Sequence, residues 1–398
     1  MLNTVTLRKE KNIKNKKYNV EKLGQVYTPQ NIVDIMLKLV KNKGRVLEPS
    51  CGDGAFSQYF PECVAIEIDN SKKPDYAICM DFIDYSVEEK FDTIIGNPPY
   101  VRYNDILSTT KKKLDMSLFD ERSNLYLFFI HKCIQHLKPN GELIFIVPRE
   151  FLKATSAIKL NECIYENGTI TDLIDLGDTT VFSNYNPNCV IFRFEKGNFS
   201  RVTNKTRKFE IVNGQLLFTT NDYTTKFSDL FYVRVGGVSA ADNCFTSENG
   251  NKEFVCSYTR QTGETRRMFY NIEVEELKPH KEKLLARRIK PFNEKNWYMW
   301  GRNFYESDEE RIYVNCKTRQ SNPFFYHECR NYDGAILAIF PKFECDLETL
   351  KQIVDELNQV DWNELGFMCD GRYLFSQKSL ENTVLPKTFN KYLRSTTV

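Results

Sequence analysis

The stretch IIGNPPYVRY, residues 94–103, holds the residues whose types and order point most directly to chemistry. Each proline fixes its own φ and restricts the residue before it, so the chain leaves an apolar run through a rigid corner. The side-chain oxygen of Asn97, the carbonyl oxygen of Pro98 and the ring of Tyr100 project from such a corner. Two adjacent acceptors suit a planar amino group, and the ring suits stacking on the group that carries it. We expect Asn97, Pro98, Pro99 and Tyr100 to form an amine site, although a Pro-Pro strand exit with an Asx turn would use the same residues.

Short apolar stretches alternate with helical patterns in the first half of the chain. Apolar residues at helical spacing predict helices at 28–41, with Thr28 as N-cap, and at 124–138. This alternation predicts an α/β fold with a mostly parallel, doubly wound sheet, whose ligands bind beyond the carboxyl ends of the strands. The predicted strands are the start of 44–56, then 63–69, 76–82, 91–100, 141–148, 169–177 and 189–196.

Candidate ligand-binding groups follow three consecutive predicted strands. Gly52 and Gly54 in LEPSCGDG let the backbone approach a ligand, although this loop is neither G-x-G-x-x-G nor a P-loop and could be a plain tight turn. Glu67 ends the next strand, where a carboxylate either accepts from both ribose hydroxyls or is simply solvated. Asp81 and Phe82 end the third strand. They suit an adenine amino group and a purine face, or else a helix cap and a core ring.

These groups, in this order, predict a site for an adenosine moiety without phosphates. S-adenosylmethionine is the cofactor that fits, and its sulfonium methyl needs no acid, metal or covalent nucleophile from the protein. A corner that holds both hydrogens of an amine would favour a pyramidal nitrogen and free its lone pair for attack. The motifs therefore predict methyl transfer to a planar amine, with no metal.

The composition is that of an ordinary globular protein. The chain has 398 residues, of which 41% are hydrophobic and 27% charged, with a net charge of +2. Twelve cysteines without a C-x-x-C pair and only four histidines predict free thiols and no zinc site. The apolar runs are too short to span a bilayer, and the basic N-terminus lacks the apolar core of a secretory signal. We expect a cytoplasmic protein without a membrane anchor.

The character of the chain changes near residue 235. Residues 1–22 predict a basic flexible arm, and the strands and motifs predict a catalytic domain at 23–235. The remainder, 236–398, mixes arginine and lysine with aromatic residues and has one clear helical stretch at 347–360. We expect a second domain there, basic and aromatic enough to contact nucleic acid.

The assembled motifs resemble the gamma-class, Taq-type adenine-N6 DNA methyltransferases. The resemblance implies a Rossmann-like class I methyltransferase domain followed by a C-terminal α+β target-recognition domain. It also implies S-adenosylmethionine as cofactor, double-stranded DNA as substrate and a place in a restriction-modification system. It covers roughly residues 24–196 and includes GQVYTP, LEPSCGDGAF, AIEID, MDF, FDTIIGNPPYVRY, NLYLFF, GELIFIVPREFL and VFSNYNPNCVIFRF.

The resemblance implies a role for each matching residue at the cofactor. The residues concerned are Thr28 and Glu48 at the methionine end, Gly52 in the loop, Glu67 at the ribose, Asp81 and Phe82 at the adenine, and Phe129 on the other side of the adenine.

The resemblance also implies that the target adenine leaves the duplex. An adenine stacked inside DNA cannot reach the corner, so enzymes of this class flip it out. Asn97, Pro98 and Tyr100 would form the amine site, and the base would lie between Tyr100 and Phe182. Unstacking costs roughly a few kcal/mol, which two aromatic faces would largely offset.

The long, charged segment after Tyr100 departs from the family pattern. It reads VRYNDILSTTKKKLDMSLFDERS. We expect a mobile loop that closes on DNA, with Lys111, Lys112 and Lys113 near phosphates, or else a solvated surface run.

Other functions share the NPPY corner. Protein-glutamine and some ribosomal-RNA methyltransferases use it, but the basic, aromatic residues after the catalytic domain favour DNA. Cytosine-N4 is the nearest chemical alternative, although those enzymes more often carry serine where Asn97 stands. A non-catalytic DNA-binding specificity subunit would require a degenerate corner or a lost cofactor acid. The recognition sequence and a partner endonuclease acting on the same site cannot be read from the chain, and we expect a monomer.

Overall fold

The chain divides into two compact units, one ending at Thr220 and one beginning at Asn221. The computed structural model describes residues 24, 26–42, 44–177, 181–182, 187–369 and 371–396, so the predicted basic arm at 1–22 lies outside the described residues. The boundary between the two units lies earlier in the sequence than the predicted boundary near residue 235. The reason is long-range pairing, because strands at 223–226 and 231–235 pair with strands of the second unit.

The first unit alternates strands and helices, as the sequence predicts. Its elements are α1 (Gln30–Leu37), β1 (Val46–Glu48), β2 (Cys63–Glu67), β3 (Ile78–Cys79), β4 (Phe91–Gly96), α2 (Ser108–Lys111), α3 (Leu125–His136), β5 (Leu137–Pro148), α4 (Ile158–Asn167), β6 (Gly168–Asp175), β7 (Cys189–Lys196), β8 (Val202–Thr203), β9 (Arg207–Val212) and β10 (Gln215–Thr219).

A seven-stranded sheet organises this unit, with the order β3-β2-β1-β4-β5-β7-β6. The five strands from β3 to β5 pair in parallel, and β7 pairs antiparallel with both β5 and β6. The predicted mostly parallel, doubly wound sheet is therefore confirmed. The strand order reverses between β1 and β4, so the loops that follow these two strands emerge side by side at the switch point.

Buried apolar side chains hold α1, α3 and α4 against the sheet. Helix α3 is buried on nearly all sides, which explains why its sequence, LYLFFIHKCIQH, is apolar almost throughout. The side chain of Asn124 caps this helix by accepting from the Tyr126 N–H.

One prediction about α1 is wrong. The helix begins after Pro29, and the Thr28 side chain makes no capping hydrogen bond. The Thr28 hydroxyl instead accepts a hydrogen bond from the side chain of Asn97, 3.1 Å away. Thr28 thus binds a residue that is distant in the sequence and not the backbone of the helix that follows it.

A fully buried ion pair joins the central strands. Glu142 on β5 and Arg193 on β7 are 0% and 1% exposed, and Arg193 Nε lies 2.6 Å from Glu142 Oε2. The other carboxylate oxygen accepts from the Thr93 hydroxyl of β4 and from the backbone N–H groups of Lys41 and Asn42. Buried charges need such complete hydrogen bonding, and this one ties β4, β5 and β7 together.

The second unit is an α+β arrangement of small antiparallel sheets. The largest has four strands, in the order Phe231–Val235, Ile336–Pro341, Ile312–Asn315 and Phe324–Phe325. Its core is rich in aromatic rings, including Trp297 and Trp300. The helix predicted at 347–360 is present and is capped by Asp346. Its elements are β11 (Tyr223–Lys226), α5 (Phe227–Leu230), β12 (Phe231–Val235), α6 (Asp242–Phe245), β13 (Lys252–Phe254), α7 (Thr259–Thr262), β14 (Arg266–Met268), α8 (Lys281–Leu285), β15 (Ile312–Asn315), β16 (Lys317–Thr318), β17 (Phe324–Phe325), β18 (Ile336–Pro341), α9 (Leu347–Gln359), β19 (Met368–Cys369), β20 (Arg372–Leu374), α10 (Gln377–Glu381) and β21 (Val384–Pro386).

The described residues hold neither a membrane-spanning helix nor a cluster of metal-ligating side chains. None of the described helices combines the length and apolar character needed to cross a membrane. Within the same residues, no three His, Cys, Asp or Glu side chains come together as metal ligands would.

Candidate active site

A cleft of about 990 Å³, its open mouth included, lies at the carboxyl ends of the parallel strands of the first unit. It brings together every residue that the sequence predicted at the cofactor. These residues are Thr28, Glu48, Gly52, Glu67, Asp81, Phe82 and Phe129. The parallel sheet explains this convergence, because consecutive strands deliver their following loops to the same edge.

The loop after β1 turns at Gly52, whose φ of +53° favours glycine. A Cβ added at Gly52 would meet no protein atom within 4 Å, so this backbone faces open space in the cleft. The Gly52 N–H donates to Glu67 Oε2 at 2.8 Å, which links the β1 loop to the end of β2. The second oxygen of Glu67 accepts from the Asp69 N–H at 2.9 Å. The geometry presents bare backbone and a fixed carboxylate to a ligand.

The carboxyl group of Glu48 is buried at the end of β1. It accepts hydrogen bonds from the N–H groups of Phe56 and Ser57, at 3.4 and 2.6 Å. Burial raises the pKa of Glu48 to about 8, and the hydrogen bonds from Ser57 and Phe56 offset only part of that rise. Glu48 is therefore protonated at neutral pH unless a cation lies beside it.

Asp81 and Phe82 begin a short turn after β3. Asp81 accepts from the Ile83 N–H through one oxygen, at 3.0 Å, and from the Thr110 hydroxyl through the other, at 2.6 Å. The rings of Phe82 and Phe129 touch, with centroids 5.1 Å apart. They form one continuous wall, which leaves no room for a purine between them. A purine would have to part these two rings, and the placement of Phe129 on the other side of the adenine from Phe82 stays a prediction.

The Asn97 side chain follows β4 with its amide orientation fixed from one side. Its Nδ2 donates to the Thr28 hydroxyl at 3.1 Å and is 3.4 Å from the Val26 carbonyl oxygen. Its Oδ1 is buried and has no hydrogen-bond partner among the residues that the structure describes. A buried acceptor without a partner is uncommon in folded proteins and calls for an explanation. Asn97 and Pro99 both line the cleft, so this acceptor belongs to the site.

The ring of Tyr100 is buried beside the corner, and its hydroxyl donates to the Ile146 carbonyl oxygen at 2.7 Å. Phe182, also buried, meets this ring edge to face, with centroids 6.2 Å apart and planes at 65°. The resemblance places a flipped base between these two rings, which stays a prediction, and the structure has the rings in contact with each other. They close on each other here, so a planar base would have to part them.

The three lysines after Tyr100 differ in their surroundings. Lys113 pairs with Asp84, and Lys111 lies 4.7 Å from the centre of the Tyr103 ring. Lys112 is exposed and has no partner among the residues that the structure describes. A role at phosphates stays a prediction for all three.

Sequence reasoning missed several residues of the cleft. Gly24 has a φ of +63°, and a Cβ there would come within 2.9 Å of the Tyr100 backbone nitrogen, so only glycine fits against the corner. Ile68 and Met80 line the cleft and are 40% and 37% exposed, as apolar walls that a purine would cover. Thr110 is buried in the wall. The left-handed φ and these long-range contacts leave no mark in a single sequence.

The fold has a counterpart of known structure. The Type IIL restriction-modification enzyme MmeI, solved in complex with DNA, aligns over 89% of this chain and 64% of its own, with a TM-score of 0.54 and 12% identity. At this identity the likeness concerns the fold alone. The strand order and the cleft at the strand ends define the first unit as an α/β domain of the Rossmann-like, class I methyltransferase type.

Within the methyltransferase class, part of the chain is similar to one family. Residues 56–182 match the family of the Eco57I restriction-modification methylase. Over these residues the first unit is similar to Eco57I-type restriction-modification methylases, and the predicted resemblance to restriction-modification DNA methyltransferases is confirmed.

Two curated relatives agree with the family match. Type II methyltransferase M.HincII of Haemophilus influenzae is 36% identical over 188 residues, or 44% of this chain and 38% of the relative. Type II methyltransferase M.TthHB8I of Thermus thermophilus is 34% identical over 197 residues, or 44% of this chain and 45% of the relative. The chain thus matches less than half of the length of either relative.

Proposed function

We propose that this protein is a site-specific DNA methyltransferase that transfers a methyl group from S-adenosylmethionine to N6 of an adenine flipped out of double-stranded DNA. The observation that carries the proposal is the buried Oδ1 of Asn97, which has no hydrogen-bond partner in the described part of the chain and belongs to a residue that lines the cleft. The relatives M.HincII and M.TthHB8I, both named Type II methyltransferases, support DNA as the substrate.

The cleft fits an adenosyl cofactor. Glu67 would accept from the ribose, Asp81 from the adenine amino group, and the apolar side chains Ile68 and Met80 would cover the purine faces. The methionine end would lie toward Thr28 and Glu48. When bound, S-adenosylmethionine supplies an electrophilic methyl group.

The corner would hold and polarise the target amine. Asn97 Oδ1 accepts one amino hydrogen and the Pro98 carbonyl oxygen accepts the other, which directs the nitrogen lone pair away from them. The Thr28 hydroxyl and the Val26 carbonyl oxygen hold Nδ2 and would leave Oδ1 for the amine. Positioning and hydrogen bonding of this kind are the protein's main contributions, since it needs neither a general acid nor a nucleophile of its own.

The base would reach the corner by leaving the duplex, because N6 inside the helix is shielded by stacking and pairing. Tyr100 and Phe182 would part and stack on its two faces. Adenine is favoured over cytosine because Asn97 stands where cytosine-N4 enzymes more often carry serine.

The second unit would read the DNA sequence. Its exposed arginines and lysines lie among aromatic residues, a composition that suits phosphates and base edges. We further propose that the protein acts as a monomer in the cytoplasm, and a separate endonuclease cutting the same site would be its partner.

The experiment uses the full chain, isotopically labelled S-adenosylmethionine and unmethylated genomic DNA, followed by digestion and mass spectrometry of the nucleosides. Label in N6-methyladenine supports the proposal. Label in N4-methylcytosine alone would overturn the choice of base, and label that enters only RNA or protein of a cell extract would overturn DNA as the substrate.

Two variants make the result specific to the corner. Asn97→Ala should lower the rate of transfer about 100-fold or more and leave cofactor binding nearly intact. Gln135→Ala is the matched control, because it removes an exposed amide that does not line the cleft. Full activity of Asn97→Ala would contradict the role assigned to the corner.

A further inference from the structure

The segment from Val101 to Asn124 leaves the corner and returns to it. The Val101 carbonyl oxygen accepts from the Leu125 N–H at 2.8 Å, and Arg102 and Asn124 form an isolated bridge. We call residues 101–124 the corner loop. The corner loop contributes Val101, Ile106, Leu107 and Thr110 to the lining of the cleft. It is therefore one wall of the cofactor site, beyond any role it has at DNA.

Thr110 is the polar member of this wall and is 4% exposed. Its hydroxyl donates to Asp81 Oδ2 over 2.6 Å. A hydroxyl has one hydrogen and two lone pairs, so Thr110, once it donates to Asp81, still has acceptor capacity. Asp81 Oδ1 is already committed to the Ile83 N–H. A ligand amino group that approaches Asp81 thus meets two neighbouring acceptors, Asp81 Oδ2 and Thr110 Oγ1.

A second contact fastens the corner loop to the same turn. Lys113 pairs with Asp84, the last residue of the turn Phe82–Asp84. The loop therefore has two polar attachments to the turn that presents Phe82 and Asp81, one at Thr110 and one at Lys113. A ligand that contacts Asp81 would therefore also contact a residue that is hydrogen-bonded to the corner loop, and this loop leads back to Tyr100.

We propose that Thr110 is a cofactor-recognition residue: its hydroxyl, oriented by Asp81, forms with that carboxylate a paired acceptor for the exocyclic amino group of the cofactor's adenine. This inference rests on the proposed function, because it takes S-adenosylmethionine as the ligand of the cleft. Thr110 Oγ1 and Asp81 Oδ2 lie 2.6 Å apart, too close to take one amino hydrogen each, so they would share one hydrogen; a purine without the amino group has none at that position. The paired acceptor therefore selects adenine over purines that lack the amino group. Because Thr110 belongs to the corner loop, the bound cofactor would also hold this loop in place.

The test measures binding and needs no DNA. S-adenosylhomocysteine and its analogue with hydrogen in place of the purine amino group are titrated into the full chain by calorimetry. The wild-type protein should prefer the amino compound. Thr110→Val, which keeps the side-chain shape and removes the hydroxyl, should bind S-adenosylhomocysteine about tenfold more weakly and bind the analogue unchanged. Thr110→Ser should restore the preference.

Thr109→Val is the matched control, since Thr109 is the exposed neighbour of Thr110 in α2. It should bind both compounds as the wild type does. Equal weakening of both compounds in Thr110→Val would show a merely structural wall and overturn the proposal, as would an unchanged preference. If the wild type binds neither compound, the cofactor assignment itself fails and the role of Thr110 fails with it.

Discussion

Asn97 Nδ2 lies 3.1 Å from the hydroxyl oxygen of Thr28, a residue 69 positions earlier in the chain. The Thr28 hydroxyl and the Val26 carbonyl oxygen, which can only accept, both lie at the NH₂ end of the Asn97 amide, so Oδ1 lies on the other side. The residue expected to cap a helix thus orients the residue expected to bind the amine.

Removing the Thr28 hydroxyl should make the orientation of the Asn97 amide less well defined. Thr28→Val cannot accept from Asn97, so the more distant Val26 carbonyl oxygen, 3.4 Å from Nδ2, would hold the NH₂ group less firmly and the amide would turn more often. We expect kcat for methyl transfer to fall about tenfold. Thr28→Ser keeps the acceptor and should restore most of kcat, measured with DNA and cofactor both saturating. Equal loss in the two variants would mean that the methyl group of Thr28, and not its oxygen, matters.

Two substitutions of Tyr100 distinguish the contribution of its ring to methyl transfer from the contribution of its hydroxyl to stability. Tyr100→Phe keeps the ring but leaves the buried Ile146 carbonyl oxygen without its donor, so stability should fall by about 1 kcal/mol with transfer largely kept. Tyr100→Ala removes the ring and should reduce transfer severely while S-adenosylhomocysteine still binds. Thermal unfolding and a transfer assay below the melting temperature distinguish the two. Efficient transfer by Tyr100→Ala would contradict stacking at this position.

Cofactor binding should release a proton from Glu48 at neutral pH. The pKa of Glu48, raised to about 8 by burial, keeps the free protein protonated at pH 7. A cationic ligand amine beside the carboxyl group favours the charged form and lowers that pKa, so about one proton leaves per cofactor bound at pH 7. At pH 9 the carboxyl group is already ionised, and release should vanish.

Calorimetry in two buffers of different ionisation enthalpy measures this proton. Glu48→Gln should show no buffer dependence at pH 7. If wild type and Glu48→Gln release the same amount, the proton comes from another group.

The buried ion pair of Glu142 and Arg193 should be costly to break. Glu142→Ala leaves Arg193 as an uncompensated charge in the core and should lower the free energy of unfolding by about 3–5 kcal/mol. Denaturant unfolding of the full chain checks this. Arg122→Ala removes an exposed pair with Asp120 and should cause no measurable loss. Similar curves for both variants would show that the buried pair adds little.

DNA binding should depend on salt through Lys112. This exposed lysine has no partner in the described part of the chain, so it can neutralise a phosphate without first losing an ion pair. Lys112→Ala should weaken binding and reduce the slope of log K against log salt concentration by about 1. Lys38→Ala, which removes an exposed lysine of the first unit that does not line the cleft, serves as comparison. An unchanged slope for Lys112→Ala would place the loop away from the DNA backbone.

Much of the site can be predicted from the sequence because, in a parallel sheet, residues that end consecutive strands lie at the same edge. Glu48, Glu67 and Asp81 end or follow consecutive strands, and such strands end at one edge, so their meeting in the cleft is a topological consequence. The two prolines likewise identify the corner without any tertiary information.

The remaining features depend on contacts between distant residues. The helical spacing at 28–41 gives Thr28 a local cap, and only the fold offers it Asn97 instead. Motif order places Phe82 and Phe129 at one ligand, yet their direct contact depends on how α3 packs. Thr110 lies in a charged segment with no pattern of its own, and its bond to Asp81 exists only in three dimensions.

The insertion of β7 between β5 and β6 has a consequence for synthesis on the ribosome. Strand β5 is buried along most of its length, but one of its edges stays unpaired until residues 189–196 have emerged. The cofactor strands β1 to β4 precede it in the chain and can assemble around their own loops earlier. A nascent or truncated chain that stops before Cys189 would therefore expose a long apolar strand edge beside a nearly complete ligand site, and such an edge recruits other strands.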